Sequence, residues 1–251
     1  MSNRYAVSDL HGHLDLFNQI KEYIDESDVV YALGDFGDRG PEPWRTLQAV
    51  LDDSQFIYLM GNHDLMLIES IKSLLKIPEE EWESEMYFCL EESPFYSLFM
   101  NGGRDTLMGW INSPNRMKYY KQLCDSPILI MLPTKDQKHF IHLSHAGYNP
   151  DDLDAKTVED LVWNRHHIHR EYKGNDLVIH GHTPIQHMQD INKFLDDKKY
   201  FIKDGYCVYS SGKKINIDCG TIASKQTVLL SIDTLEAEVF KIKEVVNETE
   251  D

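Results

Sequence analysis

Short apolar runs alternate with segments of helical periodicity over the first 75 residues. Three runs have the length of buried strands, and each ends at a glycine or serine: Tyr5–Val7, Val29–Leu33 and Phe56–Met60. After each run, apolar residues recur at spacings of three and four, which predicts helices over Leu14–Ile24, Trp44–Leu51 and Leu65–Leu75. This alternation of strands and helices is typical of an α/β fold.

Residues 76–126 break the alternation. They are rich in acidic, aromatic and methionine side chains and are punctuated by prolines, so we expect a helical insertion that forms a cap over the functional site. Strand character resumes at Ile128–Leu132, His139–Leu143 and Leu177–Ile179. Further stretches predict an antiparallel tail: Cys207–Tyr209, Ile215–Ile217, Thr227–Ile232 and Val239–Ile242. The prediction is one domain over residues 1–251 with a cap-like insertion at about 76–126.

Charge and composition narrow the class of protein. The net charge of −17 over 251 residues disfavours binding to a nucleic-acid backbone, which requires a basic face. No apolar run is long enough to cross a bilayer, so we expect no membrane association. The four cysteines form no C-x-x-C pair and are expected to be reduced, buried thiols of a cytoplasmic protein.

Polar clusters follow the predicted strands, where α/β sheets bind their ligands. In Asp9-x-His11 the two side chains can reach one ion, and Gly34 lets the backbone approach closely at Asp35. A carboxylate can bridge two cations, and Asn62, His145 and His182 add oxygen and nitrogen donors. Such donors without thiolates suit Mn²⁺, Fe or Zn²⁺ more than Ca²⁺.

Each short motif alone also fits a structural role. Asp38 and Arg39 could form a surface ion pair, Gly61–Asp64 could be a turn and helix cap, and His145 could be a core histidine. The occurrence of all the motifs in this order, each after an apolar run, favours a functional site.

The ordered series resembles the serine/threonine phosphatase branch of the calcineurin-like metallophosphoesterases. It is most similar to small members of the bacteriophage lambda phosphatase and bacterial diadenosine tetraphosphatase types. The motifs are Asp9-x-His11-Gly12, Gly34-Asp35-x-x-Asp38-Arg39-Gly40, Gly61-Asn62-His63-Asp64, Asn101-Gly102-Gly103, His145-Ala146, Val162-Trp163-Asn164-Arg165 and Gly181-His182-Thr183-Pro184. Three positions depart from the usual family pattern without removing a predicted ligand: Ser8, Gly37 and Asp64.

The resemblance implies a fold and a set of residue roles. The fold is the metallophosphoesterase four-layer sandwich, in which two packed β-sheets are flanked by helices. The implied ligands of two metal ions, with Mn²⁺ expected first, are Asp9, His11, Asp35, Asn62, His145 and His182. His63 is the implied general acid and Asp38 orients it, while Arg39 and Arg165, together with Asn62, bind the substrate.

The implied function is phosphomonoester hydrolysis by in-line attack of a metal-activated hydroxide. Our main hypothesis is a protein phosphatase of serine/threonine or dual specificity. Its substrate would be a phosphorylated protein or a small phosphoester. The alternative is a diadenosine tetraphosphate hydrolase or another small-molecule phosphatase, because the ligand set does not separate these activities. A non-catalytic metal-binding module is disfavoured, since it would need neither His63 nor the two arginines.

Overall fold

The computed structural model describes residues 2–87, 93, 95–152, 157–191 and 201–243. The first sheet has five strands in the order β11-β10-β1-β2-β3. Its strands are β1 (Arg4–Val7), β2 (Val29–Ala32), β3 (Phe56–Tyr58), β10 (Gln226–Ser231) and β11 (Ala237–Lys241). β1, β2 and β3 run parallel, and β10 pairs antiparallel with both β1 and β11.

The second sheet has six strands in the order β4-β5-β6-β9-β8-β7. They are β4 (Ile130–Pro133), β5 (Phe140–Leu143), β6 (Leu177–His180), β7 (Phe201–Lys203), β8 (Tyr206–Tyr209) and β9 (Lys214–Asn216). At the centre of this sheet β5, β6 and β9 are parallel, whereas the outer pairs are antiparallel. Each sheet therefore contains three parallel strands whose carboxyl ends lie at one edge.

The core divides into layers. Ala6, Leu33 and Leu230 of the first sheet pack against Ile141 and Ile179 of the second, so one cluster fills the space between the sheets. A larger cluster lies between the first sheet and α1 (Leu14–Tyr23), α2 (Pro43–Asp52) and α3 (Asn62–Leu74). A small cluster covers the second sheet with a 3₁₀ helix (His166–His169) and α9 (Ile185–Ile191). The α/β sandwich of two sheets flanked by helices is confirmed.

The segment predicted as an insertion contains a 3₁₀ helix and four α-helices in its described part. These are Glu79–Glu81, α4 (Trp82–Tyr87), α5 (Tyr96–Met100), α6 (Arg104–Ile111) and α7 (Arg116–Asp125). Leu107 and Trp110 of α6 belong to the same cluster as Leu47 of α2 and Met66 of α3. The helices thus extend the core on the helical side of the first sheet. That residues 1–251 form one domain stays a prediction.

Some local predictions need correction. The tail is not wholly antiparallel, because β9 pairs in parallel with β6. α3 begins at Asn62 and not near Leu65, since the polar residues Asn62–Asp64 form its first turn. The short helices α8 (Val158–Val162) and α10 (Thr221–Ser224) and the strand β7 were not predicted. Of the cysteines, Cys207 and Cys219 are buried, but Cys124 is exposed, and Cys89 lies outside the described residues. Within the described ranges, no helix has the length and apolar character needed to span a membrane.

Candidate metal centre

Among the described residues, two groups of side chains have the composition of metal sites. One consists of His11, Asp35 and His63, and the other of Asp35, His145 and His182. Within each group the potential ligand atoms lie within 4.8 Å of one another, and every member is buried. Asp35 belongs to both groups, which is the arrangement expected of a carboxylate that bridges two ions.

The parallel strands explain why residues so far apart in sequence meet here. Asp9 and His11 follow β1, Asp35 follows β2, and Asn62 follows β3. From the second sheet, His145 follows β5 and His182 follows β6. The site lies at the carboxyl ends of the parallel strands, as is usual for ligand sites of α/β sheets.

The backbone of the site adopts an unusual conformation. Asp9, His11, Asp35 and His182 have positive φ angles of 55°, 42°, 61° and 65°. Left-handed backbone is uncommon for residues with a side chain and costs of the order of 1–3 kcal/mol at each position. Such conformations concentrate at functional sites. The surrounding fold therefore holds these side chains in directions that an ordinary strand end would not give.

Glycines permit the close approach of neighbouring loops. A Cβ atom at Gly61 would lie 2.1 Å from Oδ1 of Asp35, and one at Gly181 would lie 2.3 Å from Oδ2 of Asp9. Neither position can carry a larger residue without displacing a carboxylate of the site.

Backbone carbonyls fix the orientation of three imidazoles. Nδ1 of His11 is 3.1 Å from the Gly37 carbonyl oxygen, and Nδ1 of His145 is 2.6 Å from that of Leu33. Nε2 of His182 lies 3.0 Å from the carbonyl oxygen of Trp163. Because only an N–H can donate to a carbonyl, the other ring nitrogen of each histidine is left to face the site. Histidines that bind metals are oriented in this way.

The inward-facing atoms are mainly acceptors. Oδ1 of Asn62 lies 2.9 Å from Nε2 of His145 and 2.8 Å from Nδ1 of His182, and Oδ2 of Asp35 lies 3.2 Å from Nε2 of His145. Desolvation would lower the pKa of His145, but the Asp35 carboxylate opposes it and raises the pKa to about 10. Burial lowers the pKa of His11 to about 3. The oxygen and nitrogen donors of this set fit a dinuclear metal centre.

Asp9 lies at the edge of the first group. Its Oδ2 accepts hydrogen bonds from the Ser8 hydroxyl and, at 3.0 Å, from the His182 backbone N–H. Its Oδ1 lies 3.9 Å from Nε2 of His11. Asp9 thus adjoins the group of His11, Asp35 and His63, and its role as a ligand stays a prediction.

His63 lies between a carboxylate and a guanidinium group. Its Nδ1 lies 2.6 Å from Oδ2 of Asp38, and its Nε2 lies 2.7 Å from Nη2 of Arg39. Desolvation lowers the pKa of His63, but Asp35 and Asp38 outweigh it, so the pKa is raised from its ordinary value. The imidazole is thus oriented by Asp38 at Nδ1 and contacts Arg39 at Nε2 within the cleft.

The two predicted phosphate-binding arginines lie in the same cleft. Nε of Arg39 donates to the Asn101 carbonyl oxygen at 3.2 Å. Nε of Arg165 donates to Oγ1 of Thr183 at 3.1 Å, and its Nη2 donates to the carbonyl oxygen of His182 at 3.3 Å. Arg165 is anchored by these bonds and keeps other N–H groups for a ligand. Nη1 of Arg39 lies 3.2 Å from Nε2 of His11 and its Nη2 contacts Nε2 of His63, so the second N–H of each Nη remains for a ligand.

Supporting residues were not recognised from the sequence. The Thr106 hydroxyl of α6 donates to Oδ1 of Asp38 and accepts from the Asp38 backbone N–H at 2.9 Å. The Tyr58 hydroxyl donates to Asp64, whose pKa is raised to about 7 by burial and by the charge of Asp35. No local pattern marks Thr106. Asp218, which is buried beside Asp9, lies two residues after the end of β9, and this position after a strand is the signal that could have found it.

A cleft of about 550 Å³ joins these elements. The predicted ligands Asp9, His11, Asp35, Asn62 and His182 line it, as do His63 and both arginines. It continues past them to a wall that consists of Pro184, Gln186 and His187 near α9 and of Asp218 and Gly220–Ala223 around α10.

Comparison with known proteins identifies the class. The family model for the calcineurin-like phosphoesterases matches residues 4–186, so the chain belongs to this family. Its two groups of histidine and aspartate are typical of the dinuclear, metal-dependent members of this phosphoesterase family.

Particular relatives differ in activity. The symmetrical bis(5′-nucleosyl)-tetraphosphatase of Pseudomonas syringae pv. syringae (strain B728a) is 24% identical over 220 residues, which are 83% of this chain and 65% of that protein. A crystal structure of a putative diadenosine tetraphosphatase aligns over 96% of this chain and 93% of its own, with 14% identity and a TM-score of 0.60. A serine/threonine phosphatase from Saccharomyces cerevisiae aligns over 97% and 81%, with 11% identity and a TM-score of 0.53. The similarity to these last two structures shows the fold alone.

Proposed function

We propose that the protein hydrolyses dinucleoside polyphosphates of the diadenosine tetraphosphate type with the help of two divalent metal ions, of which Mn²⁺ suits the donors best. Five further curated relatives carry the same name as the Pseudomonas protein. These names favour the alternative reading of the sequence over our main hypothesis of a protein phosphatase.

The observation that carries the proposal is the extension of the cleft beyond the metal ligands. Its volume of about 550 Å³ lies within the range of small-molecule sites, roughly 300–1,000 Å³. A phosphoryl group at the two arginines would occupy one part of the cleft only. The remainder, bounded by α9 and α10, offers room for a nucleoside attached to the phosphate chain.

The ions would be held by the residues that the sequence indicated: His11 and Asp9 on one side, Asn62, His145 and His182 on the other, and Asp35 between them. When bound, two such ions supply Lewis acidity and lower the pKa of a water molecule that serves as nucleophile. Asp35 would contribute to both positions, so its replacement affects the whole centre.

The remaining steps belong to side chains of the cleft. Arg39 and Arg165 bind the phosphate oxygens through N–H groups that their anchoring bonds leave available. When Arg39 turns to the phosphate, it releases Nε2 of His63, which is then able to protonate the departing oxygen. Hydrolysis at the centre of a tetraphosphate consumes one water molecule and yields two nucleoside diphosphates.

Product analysis tests this proposal. The protein is incubated with Mn²⁺ and diadenosine tetraphosphate, and the nucleotides are separated by chromatography. We expect ADP as the only product, and no turnover by Asp35→Asn. A phosphoserine peptide and a phosphotyrosine peptide are assayed in parallel. Turnover of either peptide with a higher kcat/KM than the dinucleotide would restore the protein phosphatase hypothesis, and formation of AMP with ATP would refute central cleavage.

A further inference from the structure

The far wall of the cleft contains polar groups that the proposed chemistry does not use. Asp218 is 3% exposed and Thr221 is 1% exposed, yet both line the cleft. Oγ1 of Thr221 has no hydrogen-bond partner in the described part of the chain. A buried hydroxyl without a partner is costly, and a bound ligand would satisfy it.

Asp218 is held in place by its own loop. Its backbone N–H donates to Oδ1 of Asn216 at 3.0 Å, and its Oδ1 accepts from the backbone N–H of Gly220 at 2.7 Å. The Asn216 side chain in turn donates to the carbonyl oxygen of Thr183 at 2.6 Å, which ties this loop to the loop of His182. The carboxylate is thus fixed beside the phosphate-binding part of the cleft.

The wall differs from the phosphate-binding part in its polar groups. Arg39 and Arg165 line the phosphate-binding part, whereas the wall contributes Asp218 and Thr221 and no arginine or lysine among its lining residues. A carboxyl oxygen accepts a hydrogen bond from a hydroxyl group, and a threonine hydroxyl both donates and accepts, so hydroxyl groups of a ligand are their natural partners. Recognition of ribose hydroxyls by an acidic side chain is known from dinucleotide-binding folds.

An apolar surface lies beside these polar groups. Ile222 is 36% exposed, follows Thr221 directly in α10 and lines the same cleft, as does the indole of Trp163 near Arg165. A hydroxyl-binding floor next to an apolar rim matches the two parts of a nucleoside, the sugar and the base.

We infer that Asp218 and Thr221 form a nucleoside subsite, in which they bind the ribose hydroxyls of the nucleotide whose phosphates contact Arg39 and Arg165, while the base lies against Ile222. This subsite rests on the proposed function, because it specifies which part of a nucleotide substrate the far wall recognises. It also makes Asp218 and Thr221 determinants of substrate specificity, since a phosphopeptide has no equivalent diol.

Equilibrium binding tests the subsite without depending on turnover. The dissociation constants of ADP and 2′,3′-dideoxy-ADP are measured by calorimetry with Mn²⁺-loaded protein. We expect ADP to bind about 10–100-fold more tightly, the range of one hydrogen bond to a charged group. Thr221→Val should weaken ADP binding about 3–10-fold, leave dideoxy-ADP binding unchanged, and be partly rescued by Thr221→Ser. Asp218→Asn should also reduce the preference for ADP.

The chain offers a matched control in Thr227→Val. Thr227 in β10 is also buried and its hydroxyl likewise lacks a partner among the described residues, but it does not line the cleft. This variant should bind both nucleotides like the wild type. Equal binding of ADP and dideoxy-ADP by the wild type would overturn the subsite even if diadenosine tetraphosphate is cleaved. A clear preference for ADP in a protein that does not cleave the dinucleotide would refute the proposed function and leave the subsite intact.

Discussion

At the scale of single residues, His63 is defined by its two neighbours, Asp38 at Nδ1 and Arg39 at Nε2. A general acid matters most when the leaving group is a poor one. We therefore predict that His63→Asn slows phenyl phosphate hydrolysis by about 10²–10⁴-fold, the usual contribution of such catalysis, and p-nitrophenyl phosphate hydrolysis far less. The measurement is kcat for both esters at equal metal content.

A matched control for this variant is His187→Asn, because His187 lines the same cleft outside both metal groups. It should leave the ratio of the two rates unchanged. Equal losses on both esters in His63→Asn would mean that His63 binds phosphate or metal and does not protonate the leaving group.

Arg165 provides a second test at this scale. Its guanidinium group is anchored to Thr183 and to the His182 carbonyl, so the remaining N–H groups are preorganised. We predict that Arg165→Ala lowers kcat by about 10²–10³-fold, as the loss of a stabilising donor does, and that Arg165→Lys recovers little because lysine lacks the planar fork. Arg170→Ala, which removes a neighbouring arginine paired with Asp152, should retain wild-type kinetics. Wild-type kinetics of Arg165→Ala would remove Arg165 from the site.

At the scale of elements, helix α6 supports the loop that contains Asp38. Thr106 contacts both the backbone and the carboxylate of Asp38, which has a left-handed φ of 65°. We predict that Thr106→Val costs about 1–3 kcal/mol of unfolding free energy, because it leaves a buried donor unsatisfied. Its kcat should also fall more with phenyl phosphate than with p-nitrophenyl phosphate, although the difference should be smaller than in His63→Asn. The control is Thr46→Val, which removes the hydrogen bond from the Thr46 hydroxyl of α2 to the Glu42 carbonyl oxygen. It should lower the free energy of unfolding and leave the ratio of the two rates unchanged. Unchanged rate ratios in Thr106→Val would show that Asp38 does not depend on α6.

The elements also show what the sequence could and could not predict. The strand ends that position Asp9, Asp35 and Asn62 were predictable, because apolar runs of strand length end immediately before them. The contact of Thr106 with Asp38 joins residues 68 positions apart and depends on how α6 packs against α2, which local periodicity does not encode. Asp218 escaped recognition for a related reason. Only the parallel pairing of β9 with β6 brings it to the site, and we expected an antiparallel tail.

At the scale of the whole molecule, the proposed dinuclear centre joins the two sheets. The first sheet contributes Asp9, His11, Asp35 and Asn62, and the second contributes His145 and His182. Ions bound between the sheets stabilise the folded state by mass action, since the unfolded chain does not bring these ligands together. We predict that chelation lowers the midpoint of thermal unfolding and abolishes activity, and that Mn²⁺ restores both. Asp35→Asn should remove most of the metal-dependent shift. Full activity of protein shown to be free of metal would refute the dinuclear centre.

Metal affinity should depend on pH through His145. In the absence of ions, Asp35 raises the pKa of His145 to about 10 against the effect of desolvation, so this imidazole carries a proton at neutral pH. Burial lowers the pKa values of His11 and His182, so they are neutral and release no proton. An ion that takes the His145 nitrogen must therefore displace one proton.

The apparent affinity for Mn²⁺ should rise by about tenfold for each pH unit below the raised pKa, which calorimetry at pH 7 and pH 8 measures directly. Titrations in buffers of different ionisation enthalpy should report release of about one proton at pH 7. In His145→Gln, which keeps a neutral donor, the residual affinity should lose this slope. An affinity that is independent of pH in the wild type would show that no proton occupies the place of the metal ion between Asp35 and His145.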